Sequence, residues 1–255
     1  MKQQMQAGEE LIGMFLSEVA APNLLRLMQA AGLDYVIIDC EHGSFDYSQV
    51  AALAAVANGI HFPVIVRIPS ASRECIQKYL DAGADGLLLP MTERAEQAAQ
   101  LVLYGRYAPE GKRGISTMRP HSNYNPGPLT EYTKKANERI MLFVQIETRK
   151  GVEKINEILK VPGLDGAWIG PNDLACDLGG TGDFSVPGLE ESIEQVIAAA
   201  KIRGLPCGII SSKADMIHKC RKKGMTMFSC DSEIGLLKKG ILAMRERCAK
   251  EALPE

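Results

Sequence analysis

Eight short apolar runs, each followed by a longer stretch with helical spacing, recur along the 255-residue chain, and this alternation constrains the fold more than any other feature. The runs are brief and rich in β-branched residues, near 11–15, 34–39, 63–68, 86–89, 140–146, 165–170, 205–210 and 226–230. The stretches near 21–31, 46–59, 72–82, 93–103, 149–160, 189–202, 213–223 and 232–250 carry apolar residues at the three- and four-residue spacing of a helix face. Eight β units each followed by a helix, in about 250 residues, is the arithmetic of a (β/α)8 barrel. A doubly wound open sheet is the alternative, because periodicity does not reveal whether a sheet closes. Three turns ending in Gly32-Leu33-Asp34, Gly83-Ala84-Asp85 and Gly163-Leu164-Asp165 repeat one pattern, with glycine where a helix C-cap needs a left-handed backbone. They mark the N-terminal face of the expected barrel, so the opposite loops should carry function.

Length and composition fit one domain over 1–255, with ample apolar material for a core. Twenty-nine Lys plus Arg against 31 Asp plus Glu leave a net charge of -2, which removes any global electrostatic case for nucleic acid or an anionic membrane as partner. A small-molecule ligand is expected instead. The seven cysteines are scattered and contain no C-x-x-C pair, which points to reduced thiols rather than a disulfide framework or zinc site. The polar start MKQQMQAGEE shows no signal peptide, and no run approaches the roughly 18 apolar residues of a membrane span. A cytoplasmic location follows as the expectation. No G-x-G-x-x-G or Walker loop is present, which disfavours a nucleotide enzyme.

Residues 104–139 break the rhythm, being rich in Gly, Pro, Asn and basic groups, with Arg106, Lys112, Arg113, Arg119, Lys134 and Lys135. Because the segment follows the fourth strand, it is expected over the C-terminal mouth, as a lid, a subunit contact or a variable loop.

In a barrel the chemistry sits where strands end. Those positions hold Asp39, Glu41 and His42 after the second strand, Arg67 at the end of the third, Gln145 and Glu147 at the end of the fifth, and Gly170, Pro171, Asn172 and Asp173 after the sixth. Glu147 and Asp173 on adjacent strands suit a shared divalent cation such as Mg2+ or Mn2+, which prefers hard oxygen donors. Read singly, Glu147 would pair with Arg149 or Lys150 and Asp173 would cap a short helix. His42 beside Asp39 suits a general acid/base, against the alternative of a satisfied loop histidine. Arg67 would meet a carboxylate or a developing enolate oxygen, or form a structural salt bridge to Asp39. The turn at Gly170 to Asp173 presents helix-start amides to an anion. The stripe Leu236, Leu237, Ile241 and Met244 reads as packing, within the chain or against another subunit.

The segments IIDCEHG, VIVRIP, LDAGADGLLLPM, RYAPEGKRG, VQIET and GAWIGPNDL, in this order and spacing, resemble the HpcH/HpaI family of metal-dependent pyruvate aldolases over nearly the whole chain. The resemblance implies a (β/α)8 TIM barrel of the phosphoenolpyruvate/pyruvate-domain type, with the last helix often exchanged between neighbours in a hexamer built as a trimer of dimers. It implies cleavage of a 4-hydroxy-2-oxo acid to pyruvate and an aldehyde with Mg2+, Mn2+ or Co2+. Glu147 and Asp173 become metal ligands, Gln145 a substrate contact, and the amides around Asn172 and Asp173 the receptor for the pyruvate carboxylate. His42 becomes the acid/base and Arg67 the group that stabilises the enolate. The LDAGA match points to Asp81 as the acid that raises the basicity of His42, whereas position favours Asp39. Phe15 stands where many relatives have Trp, so the aldehyde pocket is expected to differ. The alternatives are a citrate-lyase-like or malyl-CoA-type acyl-CoA lyase on the same barrel, with the basic segment reaching a phosphate, and a non-catalytic barrel that binds an oxo acid.

Overall fold

Parallel pairing runs unbroken from strand to strand and back to the first, closing a ring of eight. In the computed structural model, which describes residues 1–250, the strands are Leu11–Leu16 (β1), Tyr35–Asp39 (β2), Val64–Arg67 (β3), Gly86–Leu89 (β4), Met141–Ile146 (β5), Gly166–Ile169 (β6), Cys207–Ile210 (β7) and Met227–Ser232 (β8). The helices are Lys2–Gln6 (α1), Asn23–Ala30 (α2), Tyr47–Gly59 (α3), Arg73–Asp81 (α4), Ala95–Gly105 (α5), Leu129–Arg139 (α6), Arg149–Glu153 (α7), Ile155–Ile158 (α8), Pro171–Asp177 (α9), Leu189–Ile202 (α10), Ala214–Lys222 (α11) and Glu233–Lys250 (α12). Closure decides for the (β/α)8 barrel over the open sheet. Among the described residues no helix is long and apolar enough to cross a membrane.

Side chains alternate across each strand, so parity sorts the core into two bodies. Val36, Ile38, Val64, Val66, Leu142 and Val144 point outward into the layer under the helices. Leu11, Phe15, Tyr35, Ile37, Ile65, Leu88, Met141, Phe143, Trp168 and Met227 point inward and fill the barrel, with Met5 of α1 packed against them. Each fully buried aliphatic or phenyl side chain contributes about 1.5–3 kcal/mol. The bulk of the inner layer is balanced by small neighbours: a Cβ on Gly13 would collide with the Tyr35 ring, and one on Gly208 would stand 2.7 Å from Trp168. The same parity puts Asp39, Arg67, Gln145 and Glu147 on the inside at the upper rim, one step above the apolar layers.

The repeated Gly-x-Asp turns have a common cause. Gly32, Gly83 and Gly163 adopt φ of 90°, 105° and 91°, the left-handed region that an L side chain resists. Each following aspartate then bonds the start of the preceding strand: Asp34 accepts from the Ile12 N–H at 2.8 Å, Asp85 from Val64 at 3.1 Å and Asp165 from Leu142 at 2.8 Å. These staples satisfy strand ends at the N-terminal face.

The basic segment lies at this same face, not over the C-terminal mouth. By Gly105, α5 has already carried the chain back down, so residues 106–139 form an α-to-β connection, and the preceding helix, rather than the preceding strand, decides the end at which it sits. Arg106 is buried and clamps it there: its guanidinium donates to the Ile140 carbonyl at 2.9 Å, to Gly163 O at 3.0 Å, to Asp165 at 2.5 Å and to Asn137 O. Arg113 pairs with Asp81 at 2.7 Å. α6 forms inside what reads as loop, because its run LTEYTKKANER offers few apolar residues to mark a helix face.

Candidate active site

β2 and β3 end side by side, with Asp39 in register with Arg67. Both side chains point inward, and they meet in a two-pronged ion pair: Arg67 Nε donates to Asp39 Oδ1 at 2.9 Å and Arg67 Nη2 to Oδ2 at 2.6 Å. Asp39 Oδ1 also accepts the backbone N–H groups of Glu41 at 3.1 Å and His42 at 3.2 Å. Burial alone would raise the Asp39 carboxyl, but the bond and charge of Arg67, with these amides, outweigh it and hold it below its usual range. Arg67 Nη1 lies 3.3 Å from Glu41, and the guanidinium stands 4.9 Å over the Phe15 ring. A buried arginine is therefore fixed on three sides.

This geometry corrects the expected company of His42. Asp39 bonds the backbone of residue 42, not its imidazole. Asp81, at the end of α4 on the far face, pairs with Arg113 and stands 3.5 Å from His121, so within one chain it does not meet His42. The carboxylate beside the imidazole is Glu41, with Nε2 and Oε2 3.9 Å apart, and the His42 side chain is 68% exposed to the mouth. Burial raises the Glu41 carboxyl against the opposing pull of Arg67 and His42.

Across the mouth, β5 delivers Gln145 and Glu147, and Thr148 then caps α7 by accepting the Gly151 N–H at 3.1 Å, which fixes where the strand stops. Glu147 is 2% exposed. Its Oε1 accepts the Met91 N–H at 2.6 Å and its Oε2 accepts from the Gln145 amide. Burial pushes its carboxyl up to about 7; the two hydrogen bonds oppose this, and the charges of Glu41 and Asp173 add to it. The surface pairing that local sequence offered does not occur, since Lys150 pairs with Glu93 at 3.0 Å and Arg149 donates its backbone N–H to Asp177. Gly170 makes room for the acid: a Cβ there would land on Glu147 Oε2 and stand 2.9 Å from Gln145 Nε2. Pro171 then opens α9, with Asn172 and Asp173 exposed in its first turn.

Three residues escaped the sequence argument. Met91 holds φ of 48°, a left-handed conformation unusual for a residue with a Cβ, and by it aims its N–H at Glu147. Nothing in the sequence signals this. Glu41 was legible as a neighbour of His42 but not as its partner. Glu233, the first residue of α12, accepts three loop N–H groups and has no local sequence signal at all.

The donor set can be tested against a divalent cation. Glu147 is a buried carboxylate with no bonded cationic side chain among the described residues, in electrostatic reach of Asp173 and Glu41. Gln145 Oε1 beside it is a buried acceptor without a partner. A buried carboxylate with no bonded cation and an orphaned amide oxygen beside it fit a hard dication. No cluster of three or more ligating side chains occurs among the described residues, so such an ion would keep positions for substrate or water.

The chain is similar throughout to known proteins. It is 35% identical to the hydroxypyruvate/pyruvate aldolase of Roseovarius nubinhibens over 92% of this chain and 91% of that one. It is 31% identical to the 5-keto-4-deoxy-D-glucarate aldolase of Salmonella arizonae, over 88% and 87% of the two chains. The crystal structure of an HpcH/HpaI aldolase from Desulfitobacterium hafniense superposes with a TM-score of 0.93 at 32% identity, covering 100% of this chain and 97% of that one. The family model described as HpcH/HpaI aldolase/citrate lyase matches residues 11–239, and the chain belongs to the HpcH/HpaI aldolase/citrate lyase family of carbon–carbon lyases.

Proposed function

We propose that the chain is a divalent-metal-dependent (class II) aldolase that reversibly cleaves a 4-hydroxy-2-oxo acid to pyruvate and an aldehyde. The observation that carries this reading is Glu147, a buried carboxylate at the mouth with no bonded cationic side chain among the described residues, opposite a fixed arginine. Glu147 and Asp173 would hold Mg2+, Mn2+ or Co2+. Bound there, the ion supplies Lewis acidity toward the carboxylate and 2-oxo oxygens of the substrate.

The rest follows from the chain's own side chains. The N–H groups at Asn172 and Asp173, following Gly170 and Pro171, orient the substrate carboxylate, and Gln145 contacts the oxo-acid end. Arg67, already desolvated and aligned by Asp39 and Phe15, needs no reorganisation to share the charge that develops on the enolate oxygen. His42 removes the proton of the 4-hydroxyl; the C3–C4 bond breaks, its electron pair moves into the enolate of pyruvate, and the aldehyde carbonyl forms. Glu41 orients the imidazole and balances its charge once protonated. Proton return to C3 completes pyruvate, and the reverse sequence makes the bond.

The acyl-CoA lyase alternative has no observation of its own in its favour: Arg106 anchors the basic segment that was to meet a CoA phosphate at the opposite end of the barrel. We further infer that the chain works as a single domain and self-associates, as the hexamer resemblance implies. The exposed Leu236, Leu237, Ile241 and Met244 on α12 support a subunit contact, and light scattering tests it. Seven cysteines free of disulfides support a reducing, cytoplasmic setting.

The decisive experiment measures pyruvate released from a panel of 4-hydroxy-2-oxo acids by protein stripped with EDTA and then given Mg2+, Mn2+ or Co2+. Metal-restored release is the expected result and ranks the aldehyde halves. Folded protein that releases nothing with any metal overturns the reading.

A further inference from the structure

Glu233 is buried, yet it forms no ion pair with a cationic side chain among the described residues. Its charge is met instead by the backbone of the β1–α2 loop. Oε1 accepts the N–H groups of Ser17 at 2.8 Å, Glu18 at 2.6 Å and Val19 at 3.1 Å, and Oε2 accepts Ser17 again at 3.0 Å, with the Ser17 hydroxyl 3.3–3.4 Å away. Three successive amides converging on one carboxylate form an anion-holding nest, filled here from a residue more than 200 positions away. Loop amides have no ladder to satisfy them, so this acid decides the loop's path.

That path leads to the site. The Ser17 carbonyl accepts the Ser44 N–H at 3.0 Å, and a Cβ on Gly43 would stand only 2.7 Å from the same oxygen. The β1–α2 loop is thus packed backbone to backbone against the turn that carries His42. Two residues before Ser17, Phe15 supports Arg67. In the ring of eight, β1 stands four strands from β5 in either direction, so its loop faces the end of the site farthest from Glu147.

We propose that Glu233 is a positioning residue that fixes the β1–α2 loop over the aldehyde half of the substrate and sets how tightly that half is held. The assignment of that half rests on the aldolase reading; the anchoring of the loop does not. Glu233→Ala removes the anchor, and Glu233→Gln keeps an acceptor while losing the charge.

Two measurements test this on the intact, metal-loaded protein. In the condensation direction, Glu233→Ala raises KM for the aldehyde by about tenfold, the scale of a lost charged hydrogen bond. KM for pyruvate and the exchange of pyruvate methyl protons in D2O stay at wild-type values, and Glu233→Gln restores part of the aldehyde affinity. An unmoved aldehyde KM, or equal losses in both half-sites, overturns the specificity role. Amide hydrogen exchange read by mass spectrometry gives the second arm: peptides spanning 16–22 exchange faster in Glu233→Ala while peptides from β2 to β6 do not. Unchanged protection of 16–22 overturns the anchoring, whether or not the wild type shows aldolase activity. Wild-type protein with the protected loop but no pyruvate exchange with any metal sinks the aldolase reading and the aldehyde assignment alone.

Discussion

Arg67 meets the carboxylate of Asp39 with two donors, at 2.9 and 2.6 Å, at the rim above the apolar layers of the barrel. Burying either charge alone would be costly, and removing one partner of such a pair typically costs about 3–5 kcal/mol. Asp39→Asn is therefore expected to destabilise the fold by about 3 kcal/mol, the low end because Glu41 remains 3.3 Å from Arg67. Turnover should fall by about two orders of magnitude as Arg67 loses its alignment. Denaturant melts and kcat measured on the same preparation check both.

The same pair predicts an acid limb. The Asp39 carboxyl is held below its unfolded value, so its stabilisation is fully present above that value and is lost as pH falls through the lower, folded one. The Tm gap between wild type and Asp39→Asn should be constant near neutrality and close as pH drops below about 4. A gap that widens in acid would contradict the pairing.

Glu147→Gln keeps the shape and the acceptor for the Met91 N–H but removes the charge. Metal affinity by calorimetry is expected to fall at least about tenfold and metal-stimulated pyruvate release to vanish, with an unchanged circular dichroism spectrum. Near-normal turnover would count decisively against Glu147 as a ligand.

Gly170→Ala places a methyl group on Glu147 Oε2. The acid must move or the α9 turn must shift, so metal affinity should drop about tenfold or more while the melting temperature changes little, since most of the barrel is untouched. A crystal structure of the variant would show which of the two moves.

Arg106 is the control at the other end. Arg106→Lys cannot reproduce a planar fork that serves Ile140, Gly163, Asp165 and Asn137 together. A loss of about 2 kcal/mol, or about 4–8 °C in Tm, is expected, with KM for pyruvate unchanged. A shifted KM would mean that the segment communicates with the mouth.

Strand and helix alternation, the Gly-x-Asp turns and the inward parity of Asp39, Arg67, Gln145 and Glu147 are legible in the sequence because they depend on neighbours two to four residues apart. A period of two fixes which side of a strand a residue faces, and the end of a strand fixes the face of the barrel. The face chosen by residues 106–139 was legible in principle too, from the helix that precedes them, although the strand before it suggests the opposite end.

What only the tertiary structure decided is which charges meet. Arg67 pairs with Asp39, Glu41 rather than Asp39 or Asp81 of the same chain stands beside His42, Met91 turns its amide to Glu147, and Glu233 reaches the loop at Ser17. Apart from Glu41 and His42, which are chain neighbours, these pairings join residues far apart in sequence, and burial of the charged partner settles them. A buried charge takes the partner the closed barrel brings within reach, and local pattern does not choose among the candidates it offers.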